Sequence, residues 1–437
     1  MLESVDDTKR WSRYTFMGFE PTSEITCLNN MMKVDDQIFK VDYPGTYIKK
    51  LLQKYRSPKL TGLPSFTGGL VGYFAYDYFK YNEPTLKLHE DNQDFNDVDL
   101  MLFDQVICFD NYRQKIILIV NASTTDLQES YVEATKRIER LEKILKKGTK
   151  AKIPVLELKS DFQSLFSQKE YCAMVEKAKD HIKEGDIFQV VLANRLAAKA
   201  QGSLFDTYRI LRTMNPSPYM FYFSSQSQEI AGASPETLIK LEDHNLYTYP
   251  LAGTRPRGQD ENMDQILMEE LLADEKELAE HNMLVDLGRN DIGRIAKFNS
   301  VKVEKYLEVL KFSHVMHLGS TVTGIIKDDK DAIDAIDALL PAGTLSGAPK
   351  IKASQIIDEL EQSRRGIYGG AIGYIDFTGN LDTCIAIRIA YKKDDQVYAC
   401  SGAGIVYDSI AENEYQECLN KARVVINAIK EADGGIE

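Results

Sequence analysis

Apolar positions recur along this chain with two different periods, and each change of period marks an element. Leu127, Tyr131, Ala134, Ile138, Leu141 and Leu145 step by four and three, which predicts an amphipathic helix over 126–147. Gly148 is placed to end it in the left-handed conformation. "KEYCAMVEKAKDHIKEG" predicts another helix, stopping at Gly185. Tyr415, Cys418, Ala422, Val425 and Ile429 draw the buried stripe of a last helix over 411–432, with Ser409 and Glu412 spaced as a capping box. "DIFQVVLANRLAA" is apolar on both faces and predicts a central strand. "GGLVGYFAYDYF", "QKIILIV", "RGIYGGAIGYIDF", "LDTCIAIRIAY" and "QVYACSGAGIV" predict further strands, and "EIAGASPETLIKLEDHNLYTYPLAGT" predicts strands about a turn at 242–245. Helices and strands do not alternate cleanly, so the expected class is α+β rather than a doubly wound parallel sheet.

After the helix over 126–147 comes "TKAKIPVLELKS", which is basic, contains a proline and lacks helical period. It reads as a linker between an N-terminal region, residues 1–148, and a larger region, residues 162–437.

Composition narrows the range of functions. The chain has 437 residues, 43% hydrophobic and 27% charged, as expected of a globular protein. A net charge of −13 argues against a nucleic-acid partner and against docking on anionic lipid. No apolar run reaches membrane-span length, and "MLESVDDTKRW" has no signal-peptide core. The six cysteines show no metal-binding spacing, so reduced thiols and a cytoplasmic location are expected. An anionic substrate would need local cations, or a metal, to overcome the acidic background.

Two phosphate-loop matches fail. "GTLSGAPK" has its glycines four apart instead of five, and "GAGIVY" has Tyr407 where a third glycine is required. Gly402 and Gly404 nevertheless imply a close approach of backbone to something. Carboxylates are more informative. Glu277 with Glu280, and Glu414 with Glu417, are pairs three apart, each on one face of a helix. One reading is a capping box from Asp274 and a solvated face with Glu417 paired to Lys421; the other is a bound cation, for which hard oxygen ligands favour Mg²⁺. Arg388 stands inside an apolar run and needs either an internal acid or a ligand carboxylate. Gln189 is the lone polar residue of "IFQVVL". Of His314 and His317, one is expected in proton chemistry and the other in a structural role.

"LAGTRPRG", "ELAEHNMLVDLGRNDIGR", "PAGTLSGAPKIKASQIIDELE", "RRGIYGGAIGYIDFTGNLDTCIAIR" and "GAGIVYDSIAENEYQECLNKAR" together resemble the chorismate-utilising enzymes, over about Gln168 to Ile429. "NPSPYMFYF", "FTGGLVGYFAYD" and the initial "LES" are similar to the anthranilate-forming members. The chain begins at "LES", where family members carry several dozen residues more, and Lys352 stands where arginine is usual, a change expected to be tolerated at the surface.

The resemblance implies two large antiparallel sheets in a sandwich flanked by helices. It implies a Mg²⁺-dependent carbon–oxygen lyase that converts chorismate and ammonia to anthranilate and pyruvate in tryptophan biosynthesis. Glu280 and Glu417 would be the Mg²⁺ ligands, with Glu277 and Glu414 behind them. Arg388, Tyr368, Gly253, Thr254, Gly402, Ala403, Gly404 and Lys421 would bind substrate, and Thr344 would sit near its ring. Glu236 would be the general acid and His317 would assist loss of pyruvate. Relatives that add water carry a lysine at Gln189, and aminodeoxychorismate synthases carry one at Ala252; neither is present. Ser4, Pro218, Tyr219 and Met220 would form an L-tryptophan inhibitor site. The chain shows no Cys-His amidotransferase motif, so ammonia would come from a separate glutamine amidotransferase subunit in a hetero-oligomer, or from solution. The alternatives are an aminodeoxychorismate synthase of folate synthesis, or a non-catalytic relative that senses tryptophan or chorismate.

Overall fold

The computed structural model describes residues 1–5, 13–86, 88–89, 95–311 and 315–436. His314 lies outside them. Among the described residues, two twelve-stranded antiparallel sheets pack face to face. The first runs, in spatial order, through Glu157–Leu158, Gln189–Gln201, Gln396–Ile405, Ile389–Lys393, Gln228–Ser234, Tyr219–Ser224, Leu2–Glu3, Tyr14–Met17, Gln105–Asp110 and Lys115–Val120. The second runs through Leu251–Pro256, Val315–Ile325, Asn245–Thr248, Thr237–Glu242, Leu381–Ile385, Ala371–Asp376, Gly69–Phe74, Val98–Phe103, Ser23–Leu28, Met31–Val34 and Gln37–Lys40. Both sheets draw strands from either side of residue 148.

Side-chain alternation sorts residues between two environments. Along Gln189–Gln201, Val190 and Leu192 join the helix-side core, while Ala193 joins the core between the sheets. The strand is covered on both faces, which is why its sequence is apolar throughout. The helices Gln168–Lys183, Phe205–Met214, Lys350–Glu361 and Ala411–Ala432 cover the outside of the first sheet. Glu275–Ile295 and Ala332–Leu339 cover the second.

Several local expectations are corrected. "LDTCIAIRIAY" is two strands, one in each sheet, because the chain crosses between sheets at 386–388 and Arg388 takes φ +52°. "TKAKIPVLELKS" contributes the short edge strand Glu157–Leu158. The helix Leu127–Lys147 forms, but only Ala134 and Leu141 of its stripe are buried, because it rests on an edge strand. Gly148 ends it at φ −64°, extended and not left-handed. The last helix runs Ala411–Ala432 as expected, yet Ile410 is its N-cap and the Ser409–Glu412 box is not formed: the Ser409 hydroxyl accepts from the Val406 amide instead. All six cysteines are unpaired. Among the described residues, no helix is long and apolar enough to cross a membrane.

Candidate active site

A cavity of about 630 Å³ opens where one end of the first sheet meets the corresponding end of the second. Gln189, Gly402 and Gly404 reach it from adjacent strands of the first sheet, and Gly253, Thr254 and His317 from paired strands of the second. Glu236 and Arg388 sit where the chain crosses between sheets, and the two crossings are tied by the Ile385 amide donating to the Glu236 carbonyl at 2.9 Å. Glu277 and Glu280 enter from the helix Glu275–Ile295, Glu414, Glu417 and Lys421 from Ala411–Ala432, and Thr344 from a short helical turn, Gly343–Ser346. Tyr368 lines the same wall. Ala403 does not: alternation turns it to the helix-side core beside Leu192 and Cys418.

Local geometry explains several of these residues. Gly253 takes φ +66° inside a β-bulge, and a Cβ there would come within 2.9 Å of Leu271 and 3.2 Å of Glu277 Oε2. Its carbonyl accepts from His317 Nδ1 at 2.9 Å, and the Thr254 hydroxyl lies 3.1 Å from the same nitrogen. A carbonyl can only accept, so Nδ1 carries the proton and Nε2 is the basic nitrogen. Burial holds the His317 imidazole below its usual pKa. At Gly404 a Cβ would meet Gln189 Nε2 at 2.6 Å, and at Gly402 the Leu192 carbonyl at 2.7 Å. The close approach expected of these glycines is therefore to the neighbouring strand.

The electrostatics are uneven. Burial pushes the Glu236 carboxyl up to about 7; Thr344, Arg388 and Lys421 pull it back less strongly. The Thr344 hydroxyl lies against that carboxyl but meets no group in good hydrogen-bond geometry, and Gln189 Oε1 is also buried without a partner. Among the described residues Arg388 makes no ion pair with a carboxylate, and its guanidinium donates to Asn215 Oδ1 at 3.4 Å. Among the described residues this leaves a ligand carboxylate as its partner, since Glu236 favours its charge only from a distance.

Both readings of the paired glutamates find support. Asp274 caps its helix by accepting from the Lys276 and Glu277 amides, and Glu417 pairs with Lys421 at 2.7 Å. Yet all four acids line the cavity, and burial followed by the Glu277 charge raises the Glu280 carboxyl. Among the described residues, the only three ligating groups within 4.8 Å of one another are His181, Glu184 and Asp186, elsewhere on the surface. As they lie, the four glutamates are too spread to share one ion. Their chemistry still fits Mg²⁺: five carboxylates face three cations in the cavity, the four glutamates offer only oxygen ligands, and an anionic substrate would deepen the imbalance.

Sequence reasoning missed three supporting groups. Arg255 bridges Asp274 at 2.7 Å and Glu277 at 3.4 Å. Lys276 sits at the cavity wall between the glutamate pairs. Arg365 and Glu361, both buried, plug a gap beside Gln189–Gln201: Arg365 Nη2 donates to the Val191 carbonyl at 2.6 Å and Glu361 Oε1 accepts from the Ala193 amide at 2.8 Å. The spacing of Glu361 and Arg365, four apart, was the available signal for this pair, but the backbone groups it serves at Val191 and Ala193 are far away in sequence. Lys352 lies on the surface, 3.2 Å from Asp186.

Ser4, Pro218, Tyr219 and Met220 line a separate cavity of about 110 Å³, with Glu3, Tyr14, Tyr374 and Asp382. The Ser4 hydroxyl is buried there without a partner. Tyr219 donates to Asp382 and lies 2.8 Å from Thr237, the neighbour of Glu236.

The sequence matches the family described as chorismate binding enzyme over residues 4–427. It is 43% identical to the anthranilate synthase component 1 of Acetivibrio thermocellus, over 99% of this chain and 90% of that protein. The crystal structure of anthranilate synthase component I from Streptococcus pneumoniae superposes with a TM-score of 0.84 at 38% identity, covering 95% of this chain and 92% of the other. The menaquinone-specific isochorismate synthase of Escherichia coli, at 21% identity and a TM-score of 0.69 over 95% of this chain and 94% of that one, shares the fold. The chain belongs to the chorismate-binding enzymes, and to the group within them whose members are named anthranilate synthase component 1.

Proposed function

We propose that this chain converts chorismate and ammonia to anthranilate and pyruvate. The observation that carries the reading is one cavity holding a protonatable Glu236, an oriented neutral His317, an unpaired guanidinium and an uncharged Gln189. Glu280 and Glu417 would hold Mg²⁺, with Glu277 and Glu414 behind; when bound, the ion would offset the charge of the substrate's ring carboxylate.

Arg388 binds the enolpyruvyl carboxylate with its planar fork, beside Tyr368. The Gly402 and Gly404 backbone and Thr254 complete the pocket, and Lys421 adds positive charge. Glu236 gives its proton to the 4-hydroxyl, which departs as water while ammonia bonds to C2. Gln189 cannot take a proton at neutral pH, so water is not activated, and its free Oε1 can orient an N–H of ammonia. His317 Nε2 then accepts the C2 proton; the electron pair enters the ring, the ring C3–O bond breaks, and the departing enolpyruvate takes up a proton at its methylene carbon to give pyruvate. Ala252 has no nucleophile, so the amino group stays at C2 and an aminodeoxychorismate product is disfavoured.

We also read the chain as a cytoplasmic component of tryptophan biosynthesis. It would work with a glutamine amidotransferase partner that supplies ammonia, and the Ser4 cavity would take L-tryptophan as feedback inhibitor. The test is incubation with chorismate, Mg²⁺ and ammonium at mildly alkaline pH, with products identified by fluorescence and mass. Anthranilate is expected; isochorismate, salicylate or aminodeoxychorismate as the main product overturns the reading.

A further inference from the structure

Glu236 and Thr344 line two cavities at once. In front is the large cavity; behind lies a chamber of about 50 Å³, lined by Leu284, Leu287, Gly288, Asp291 and Leu339. That is room for a few waters, since one needs only about 10–15 Å³ measured this way. Polar residues contribute to its lining. They are Glu236, Thr248, Tyr249 and Asp291, the last held by Lys350 at 2.7 Å. A water there has the two to four partners it requires.

We propose that this chamber receives the water expelled from C4 of the substrate. The inference rests on the reaction proposed above. In its first step the C4–O bond breaks and a C2–N bond forms; Glu236 supplies one proton to the leaving oxygen, and the new C2 ammonium releases one. Each turnover therefore generates a water molecule against Glu236, beneath a ring that must stay bound for the second step. Left in place, that water can re-add to the ring. Passed behind Glu236, it is separated from the ring by the carboxylate and bridges toward Asp291, giving a path by which Glu236 regains its proton. The titratable groups facing Glu236 are Arg388 and Lys421 in front, and Tyr249 and Asp291 behind.

Gly288 permits a clean test. It lies inside the helix Glu275–Ile295, where alanine favours the helix. Its Cβ would lie 3.1 Å from Thr248 Cγ2 and 3.6 Å from Pro250 Cγ, two chamber residues. In Gly288→Ala, anthranilate formation from chorismate and ammonia should fall at least about fivefold, while conversion of supplied aminodeoxyisochorismate, which loses no water, should stay within about twofold of wild type. An equal fall in both, or in neither, overturns the chamber's role. A wild-type protein inactive on both substrates overturns the proposed reaction, and the chamber's role with it.

Discussion

Desolvation raises the Glu236 carboxyl to about 7, and three consequences follow. With rates plotted against free ammonia, the first step needs the acid form, so kcat/KM for chorismate should fall as pH rises through about 7. Thr344 and Arg388 pull that value down, so Thr344→Val should move the alkaline limb upward; an unmoved limb would remove Thr344 from the acid's environment. The raised pKa also has a stability sign. The folded state holds the proton more tightly than the unfolded chain, so this contribution is intact below the ordinary glutamate range and is lost as pH rises toward 7. Glu236→Gln should therefore raise Tm relative to wild type more at pH 8 than at pH 5, while abolishing turnover. The "ASPE" signature pointed to Glu236 by resemblance, but no local feature could disclose its pKa. Desolvation comes from residues such as Ile385, more than a hundred positions away.

At the scale of elements, the site is assembled where regular structure is interrupted. Gly253 sits in a left-handed bulge, and Arg388 is a non-glycine in that same region at a crossing between sheets. Such strain costs on the order of 1–3 kcal/mol and persists where the surroundings impose it. Gly253→Ala should lose about 1–2 kcal/mol of stability and should lower kcat through its grip on His317, measurable by denaturant titration and steady-state kinetics. The hydrophobic run around Arg388 looked like one strand because both halves are buried; nothing in its pattern marks the point at which the chain changes sheets. The Arg365–Glu361 pair is similar. Removing one partner of a buried pair costs about 3–5 kcal/mol, so Arg365→Met should be severely destabilised. Adding Glu361→Leu should recover part of the loss; no recovery would mean that the pair's backbone contacts, not its charges, matter.

Across the whole molecule, the net charge of −13 is carried into the cavity, where carboxylates outnumber cations. Mg²⁺ should therefore raise Tm in wild type and not in a Glu280→Gln, Glu417→Gln variant, whose turnover should be lost. Full activity of that variant in EDTA would eliminate the metal reading. The Ser4 cavity draws on all three thirds of the chain, and one hydrogen bond from its Tyr219 reaches Thr237, the neighbour of Glu236. Ser4→Ala should weaken tryptophan inhibition by about tenfold or more, one partnered hydroxyl being worth roughly 1–2 kcal/mol; an identical inhibition curve would exclude this cavity.

The sequence by itself determined the α+β class, a central strand over 186–198 that forms as Gln189–Gln201, the limits of the last helix and, through family motifs, the charged side chains that line the cavity except Lys276. These follow from periodicity and from residue types whose chemistry is local. Only the tertiary structure decided that Ala403 faces away, that Arg388 has no ion pair with an acid among the described residues, that the four glutamates line one cavity without converging, and that Glu236 has a second cavity behind it. Each of these depends on which segments distant in sequence become neighbours. Burial, charge proximity and enclosed volume are properties of that packing, and the order of residues along a chain does not contain them until it is folded.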